Sequence, residues 1–284
     1  MKHYNKLTLN DKENIISLFN QGFEFCNIIE KLGVSQRSVS RVLKEEGINS
    51  KRKNRYTLNE SYFNSIDTER KAYILGILYA DGFVGDEKFN NIVISLTRED
   101  KYLLEKISQE INFTGKIKDI QNGGSYDNSK PKSILNFSSK EMSSDLRKLG
   151  VFTNRKTSAV ATPKMNNDLY RHFIRGYFDG DGTIGLYTST SSYKMKDGTV
   201  KVYKYQSPHF SIIGSIQFLK DMQRHLPTGS FKLNLNCKTE GLVYLSCYDK
   251  NTLISIFQYL YNDSTIYLER KFNKWKEVMS AISE

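Results

Sequence analysis

Residues 74–82, ILGILYADG, and residues 174–182, IRGYFDGDG, determine the fold of most of this chain. Each stretch is an apolar helical segment with small residues at positions i and i+4, which lie on one helix face. Small side chains on that face allow two backbones to approach closely. We therefore predict that the two helices pack against each other through these residues: Gly76, Ala80, Gly176 and Gly180.

Each segment ends in an acidic residue followed by glycine, Asp81-Gly82 and Asp181-Gly182. The glycines are expected to adopt the left-handed conformation that stops a helix. A carboxylate at the negative end of a helix is unfavourable by up to about 1 kcal/mol. One Asp-Gly pair alone is typical of a turn. Two of them at the end of paired helices would repel each other, so we predict a divalent cation there, and Mg²⁺ suits two carboxylates.

From residue 68 onward the sequence contains one unit twice. Asp81 and Asp181 stand a hundred positions apart, and four further segments recur in the same order. Each copy has the pattern helix, two strands, helix, two strands, helix, with alternating apolar and polar residues in the strands. The sequence therefore predicts an α+β protein with two similar halves related by a pseudo-two-fold axis. Each half has an antiparallel sheet with one face on the core.

The first 49 residues predict a small all-α domain. Three short amphipathic helix patterns are separated by a glycine and by a Gly-Val-Ser turn. This arrangement is typical of a helix-turn-helix, whose later helix reads the DNA major groove. The alternative is a three-helix packing module with a solvated basic face. The residues expected to face DNA are Gln36, Arg37, Ser38, Arg41 and Lys44.

The charge of the chain favours a polyanionic partner. The formal net charge is +11 and the isoelectric point is about 9.3, which indicates nucleic acid, although a basic composition alone is not specific. A polar stretch over residues 50–62 reads as a linker that tracks along phosphates with Lys51, Arg52, Lys53 and Arg55. The solvent side of the sheets supplies further candidates for DNA contact: Lys116, Lys118, Tyr187, Lys201, Tyr203, Lys232 and Asn234.

Composition also limits the location. No apolar run has the length of a membrane span, and the first residues have no signal-peptide core. The three cysteines are widely spaced and odd in number, as expected for reduced thiols. We therefore expect an intracellular protein, in the cytoplasm or an organellar matrix, that is neither secreted nor bound to a membrane.

The paired motifs resemble those of the LAGLIDADG homing endonucleases, in the single-chain form with two motif copies. The resemblance covers residues 67 to 284 and implies a monomer with αββαββα halves whose sheets form a saddle on double-stranded DNA. It also implies Mg²⁺-dependent hydrolysis of both strands at a long target site. The resemblance assigns metal binding to Asp81 and Asp181 with the backbone carbonyls of Ala80 and Gly180, and catalysis to these aspartates with Lys156 of NRKT and Lys271 of ERKF.

Two positions depart from a regular repeat. Tyr79 stands where the second motif has Asp179, at a position that is not the expected metal ligand. Arg175 interrupts the apolar stretch of the second motif and is expected to reach solvent at the helix edge. The predicted organisation is a helix-turn-helix domain at 1–49, a basic linker at 50–62, and nuclease halves at 63–160 and 161–284.

Two other functions remain open for the same scaffold. One is a transcription regulator that binds DNA without cutting, although retention of both aspartates and both lysines argues against it. The other is an RNA maturase that assists intron splicing, which only binding to intron RNA would distinguish.

Overall fold

The computed structural model describes residues 1–48, 56–121, 129–151 and 161–283. The chain divides into two compact units, Met1–Arg55 and Tyr56–Glu284. Across the described ranges, no helix combines the length and apolar character needed to cross a membrane.

The first unit contains three helices, α1 (Leu9–Asn20), α2 (Phe25–Leu32) and α3 (Gln36–Glu45). Helix α1 begins at a capping box in which Thr8 and Asp11 satisfy each other's backbone amides. The three helices enclose a small apolar core, as the amphipathic patterns predict. Its buried residues are Ile15, Leu18, Ile28, Val34, Val39, Val42 and Leu43.

The turn between α2 and α3 follows from two residues. Gly33 ends α2 in the left-handed conformation with a φ of 62°, which glycine adopts without steric cost. Ser35 then begins α3, because its side chain accepts a hydrogen bond from the Ser38 amide.

The second unit repeats one order of elements. The first copy comprises α4 (Glu69–Asp81), β1 (Gly82–Val84), β2 (Asn91–Thr97), α5 (Lys101–Glu110), β3 (Lys118–Ile120), β4 (Lys132–Ser138) and α6 (Lys140–Lys148). The second copy comprises α7 (Tyr170–Asp181), β5 (Gly182–Lys194), β6 (Val200–Gly214), α8 (Ile216–Gln223), β7 (Lys232–Asn234), β8 (Val243–Cys247) and α9 (Lys250–Tyr261). Helix α10 (Glu269–Ser283) follows the second copy.

The two sheets confirm the predicted repeat. Each has four antiparallel strands, in the orders β1-β2-β4-β3 and β5-β6-β8-β7. Alternate residues of β2 are buried, as expected for a sheet with one face on the core. One apolar cluster extends through both halves.

The halves differ in their first hairpin. Strands β1 and β2 have 3 and 7 residues, whereas β5 and β6 have 13 and 15. Strand β8 pairs with β6 only from Phe210 to Gly214. The outer part of the β5–β6 hairpin therefore continues as a two-stranded ribbon, defined here as residues 187–194 paired with residues 200–207.

Helices α4 and α7 meet backbone to backbone at a seam formed by the predicted small residues. A Cβ atom on Gly76 would lie 2.2 Å from the carbonyl oxygen of Phe173. A Cβ atom on Gly176 would lie 2.1 Å from that of Tyr73. Both distances are far inside van der Waals contact, so only glycine permits this approach. The predicted packing of the two motif helices is confirmed.

The glycines after the acidic residues act differently from the prediction. Gly82 and Gly182 have φ values of −90° and −88°, which is extended backbone and not the left-handed conformation. Each glycine begins a strand directly, and each is tight against the preceding helical turn. A Cβ atom on Gly82 would lie 2.4 Å from the Leu78 carbonyl oxygen. Close approach explains these glycines.

The expected linker over 50–62 is folded in its second part. Tyr56 accepts a hydrogen bond from the Ser138 amide at 3.1 Å, and Tyr62 is buried in the core of the second unit. The four basic residues of the first part, Lys51, Arg52, Lys53 and Arg55, lie outside the described residues.

The seam predicts a severe effect of one methyl group. We expect Gly76→Ala to lower the free energy of unfolding by at least about 3 kcal/mol. The added methyl group would overlap backbone atoms of α7, which cannot move aside as a side chain can. Gly185→Ala is the matched control, since its Cβ would meet only the Tyr187 ring at an ordinary 3.4 Å. We expect it to change stability by no more than about 1 kcal/mol. Equal denaturation midpoints for the two variants would contradict the close contact.

Candidate active site

The seam brings Asp81 and Asp181 to the same place. Each is the last residue of its helix, and the helices touch at Gly76 and again near their ends. A Cβ atom on Gly180 would lie 2.4 Å from the Ala80 Cβ and 2.7 Å from Oδ2 of Asp81. The Asp81 carboxylate therefore lies directly against the last turn of α7.

The charges of the two carboxylates meet at Tyr177. Burial, followed by the negative charges of Asp181 and Asp81, raises the pKa of the Tyr177 hydroxyl well above its ordinary value. The hydroxyl donates a hydrogen bond to the Ile213 carbonyl at 2.8 Å. Tyr177 is therefore uncharged and is held in place by this hydrogen bond at the acidic end of the seam.

Lys271 from α10 reaches the same end. Its ammonium donates a hydrogen bond to the carbonyl oxygen of Gly182 and lies 5.4 Å from the centre of the Phe178 ring. Burial, with a smaller effect of Arg270, lowers the pKa of Lys271 to about 8. The carboxylates of the seam oppose this shift. The structure thus places one predicted basic residue beside both aspartates, whereas Lys156 lies outside the described residues.

The residues at this end fit Mg²⁺ by their chemistry. Mg²⁺ prefers oxygen ligands and commonly takes one or two carboxylates, with water and phosphate completing its shell. Asp81 and Asp181 supply carboxylates, and Ala80 and Gly180 supply backbone carbonyls. In the described part of the chain no group of three or more His, Cys, Asp or Glu side chains could hold a metal ion.

Arg175 does not reach solvent, contrary to the expectation. Its side chain is 0% exposed and donates to the carbonyls of Leu260 and Ile266 at 2.6 and 3.0 Å. It also donates to Glu69 of α4 at 2.6 Å. A buried guanidinium needs such partners for its donors, because desolvation without them is costly.

Asp179 and Tyr79 occupy matched positions but make different bonds. The fully buried Asp179 carboxylate accepts three hydrogen bonds, each of 2.7 Å, from the Tyr73 and Tyr261 hydroxyls and the Leu268 amide. Tyr79 donates to the carbonyl of Leu149 at 2.5 Å. The sequence alone indicates no role for this position. Its signal in the sequence is a pair of charged residues, at 175 and 179, within the otherwise apolar and glycine-containing stretch of residues 173–180.

The predicted DNA-facing residues of the sheets are all exposed: Lys116, Lys118, Tyr187, Lys201, Tyr203, Lys232 and Asn234. Pairing of Ser191 with Tyr203 and of Tyr193 with Lys201 places these side chains on the same face of the ribbon as Tyr187. That face is opposite to the buried Ile184. Tyr193 and Tyr205 are also exposed on it, and the sequence pattern already placed Tyr205 on the face of Lys201 and Tyr203.

Four of the five predicted contact residues of α3 are exposed: Gln36, Arg37, Arg41 and Lys44. Ser38 is the exception, and its assignment to DNA is wrong. Its side chain is 0% exposed and donates to the Lys2 carbonyl at 3.2 Å, which ties α3 to the chain start. Arg41 lies over the Tyr4 ring at 4.1 Å, which holds its guanidinium at the surface.

Comparison with known proteins identifies the fold. No protein-family model and no curated protein matches this chain. The solved structure of the LAGLIDADG homing endonuclease I-LtrWI, bound to target DNA, has a TM-score of 0.51 with 14% identity, covering 79% of this chain and 92% of that one. The fold is that of a LAGLIDADG homing endonuclease.

Two further solved structures are similar. A variant of the meganuclease I-SmaMI with a lysine replaced by alanine gives a TM-score of 0.50 at 13% identity, covering 77% of this chain and 92% of that one. The LAGLIDADG homing endonuclease I-GzeII in complex with its DNA target gives 0.48 at 16% identity, with coverages of 75% and 90%. The likenesses to I-LtrWI and to the I-SmaMI variant, at TM-scores of 0.51 and 0.50, establish the fold alone, while the chemistry depends on this chain's own residues.

The lowered pKa of Lys271 predicts a pH-dependent stability. Because the folded pKa is about 8 and an unfolded lysine titrates near 10.4, the unfolded chain binds more protons between these values. Stability of the wild-type chain therefore rises with pH in this window. Relative to Lys271→Met, its free energy of unfolding should increase by about 1 kcal/mol between pH 7 and pH 9.

Denaturant titrations in EDTA at the two pH values measure this difference without any metal contribution. Lys274→Met, at an exposed position one turn along α10, is the control and should give no pH-dependent difference from wild type. The same behaviour of both variants would show that the Lys271 ammonium is not desolvated.

Proposed function

We propose that this protein is a site-specific, homing-type DNA endonuclease that hydrolyses both strands of a long double-stranded target with Mg²⁺. The observation that carries the proposal is the meeting of Asp81 and Asp181 at the end of a glycine seam, with Lys271 beside them. Two carboxylates held together at negative helix ends have no structural advantage, because they repel each other and the helix dipoles. A site that binds a cation and a phosphate uses this arrangement directly.

The roles of the chain's residues follow from their positions. Asp81 and Asp181, with the carbonyls of Ala80 and Gly180, would hold the metal. When bound, Mg²⁺ supplies positive charge that stabilises the attacked phosphate. The Lys271 ammonium is fixed by the Gly182 carbonyl and is partly desolvated, so its charge acts strongly on an adjacent phosphate. Its lowered pKa also allows it to take part in proton transfer near neutral pH.

The two-fold relation of the halves suits a duplex. The two strands of DNA are themselves related by two-fold axes, so each half can address one strand in an equivalent way. Lys156 is the proposed counterpart of Lys271 in the first half.

The exposed basic and aromatic side chains support DNA binding. The major groove admits a two-stranded β-ribbon, and the outer ribbon carries Tyr187, Lys201 and Tyr203 on one face. In the first unit α3 presents Arg37, Arg41 and Lys44, which suits groove or phosphate contact by a helix-turn-helix. The basic residues Lys51, Arg52, Lys53 and Arg55 would add phosphate contacts.

A non-cutting DNA-binding regulator is the second candidate. It is favoured by the three-helix unit, whose α3 has an exposed basic face. A pure binder gains nothing from two carboxylates that would face phosphate, so the endonuclease is the stronger proposal. Cleavage separates the two.

The test is incubation of the wild-type chain with a randomised duplex library in Mg²⁺ or in EDTA, followed by sequencing of the cut ends. We expect cuts at one long sequence in Mg²⁺ and none in EDTA. Enrichment of bound duplexes with no cut ends in Mg²⁺ would favour the regulator and contradict the endonuclease.

Variants of the two aspartates test the assigned site. Asp81→Asn and Asp181→Asn should each reduce cleavage of the selected target by at least about a thousandfold, since each removes a charged metal ligand. Binding measured with Ca²⁺ in place of Mg²⁺ should change little. Glu141→Gln, at an exposed position of α6, is the control. Cleavage at the wild-type rate by either aspartate variant would exclude the site.

The DNA-facing assignment predicts a change in salt dependence. Lys201→Ala and Lys232→Ala should each reduce the slope of log K against log salt by about 1, as expected when one phosphate contact is lost. Lys220→Ala on α8, the helix packed behind the second sheet, should leave the slope unchanged. Fluorescence anisotropy across a salt series measures all three variants. Equal slopes for the two sheet variants and the helix variant would place DNA elsewhere.

A further inference from the structure

We propose that Asp179 is a positioning residue that aligns Lys271 with the active centre by fixing the start of α10. The proposal rests on the endonuclease function proposed above. It concerns a side chain that is remote from solvent and that the sequence analysis left without a role.

The first step is the bond between Asp179 and the chain before α10. One carboxylate oxygen accepts the amide of Leu268 at 2.7 Å. The carbonyl of Leu268 in turn accepts the amides of Lys271 and Phe272, both at 3.0 Å, which form the first turn of α10. Asp179 therefore fixes the residue from which the helix bearing Lys271 begins.

The second step is that this path closes on itself. Lys271 donates its ammonium to the carbonyl of Gly182, which stands three residues after Asp179 on the same backbone. The path thus runs from Asp179 through Leu268 and Lys271 to Gly182. The backbone from residue 179 to residue 182 closes it, and this segment contains the metal-binding candidate Asp181. A displacement of the α10 start would move the ammonium relative to Asp181.

Neighbouring bonds hold the rest of the same segment. Arg175, one helical turn before Asp179, binds the carbonyls of Leu260 and Ile266. Glu69 of α4 accepts the amide of Thr265 at 2.8 Å as well as the Arg175 guanidinium. The chain between α9 and α10 is therefore tied to both seam helices, which are the elements that carry the aspartates.

The choice of an acid at this position supports an organising role. An apolar residue would fill the space at lower cost, because a buried carboxylate loses its hydration. Only an acceptor with two oxygens can receive three converging donors from Tyr73, Tyr261 and Leu268. At the matched position of the first half, Tyr79 makes one bond of opposite sense, as a donor to Leu149.

Strand-resolved cleavage of the selected target tests the proposal. Lys271→Ala first identifies the strand that depends on this lysine. Asp179→Asn retains the size of the side chain but replaces one acceptor by a donor. We expect it to slow that same strand by about tenfold to a hundredfold, as for a misplaced catalytic group, with accumulation of nicked DNA. Its affinity for DNA in Ca²⁺ should stay within about twofold of wild type.

Two comparisons separate positioning from general destabilisation. The double variant Asp179→Asn/Lys271→Ala should be no slower than Lys271→Ala alone, because one effect acts through the other. Tyr79→Phe, which removes the matched bond in the first half, should leave the Lys271-dependent strand at the wild-type rate. Where Asp179→Asn does not fold, Tyr261→Phe removes one of the three donors and should slow the same strand to a smaller extent.

A readout independent of cleavage is hydrogen exchange of the Leu268 amide. Asp179→Asn should accelerate its exchange, and Tyr79→Phe should not. If the wild-type chain cuts DNA but Asp179→Asn slows both strands equally, or leaves the exchange of the Leu268 amide unchanged, the positioning role alone is overturned. A wild-type chain that cuts no DNA in Mg²⁺ overturns the proposed function itself.

Discussion

The direct contact between the backbones of α4 and α7 is the constraint on which the second unit depends. At Gly76 and Gly176 no side chain separates the two helices, and a single methyl group would enter the opposing carbonyl. Such a contact allows one relative placement of the helices and no sliding, since packed backbone cannot deform as side chains do. Because each helix leads without a loop into a strand, the same contact also fixes both sheets.

Packing at the seam brings the two negative charges of the sequence repeat close together. Asp81 and Asp181 end equivalent helices, so close packing of the helices necessarily brings their charges together. Lys271 offsets this charge only in part, and burial works against its own protonation. Under the proposed function, a cation bound between the two carboxylates would offset this charge. Stability is given up at a place where binding can recover it.

Residue periodicity predicted the features of the structure that depend on neighbouring residues in the sequence. The small residues of the seam, the alternation in β2 and the core of the first unit follow from periodicity, and they were found as expected. The predictions that Ser38 and Arg175 are exposed were wrong because the partners of these side chains are distant in sequence. Arg175, for example, binds Glu69, Leu260 and Ile266. A polar residue in a helix looks exposed until its partner is known. The prediction of a left-handed conformation for Gly82 was wrong for a related reason. A tight contact and a left-handed turn both require glycine, so the residue type alone does not distinguish them.

The two halves share the aspartate that ends each motif helix, the seam glycines and the strand order, but they differ in the contacts that support the site and in their first hairpin. Asp179 accepts three bonds where Tyr79 donates one, and the second hairpin extends into a ribbon where β1 ends after three residues. Two separate chains with one sequence could not differ in this way. Joining the halves in one chain frees each to change its supporting contacts and its exposed face independently. Both halves nevertheless keep an aspartate at the end of the seam, where the proposed function would require the same chemistry for each strand of a duplex.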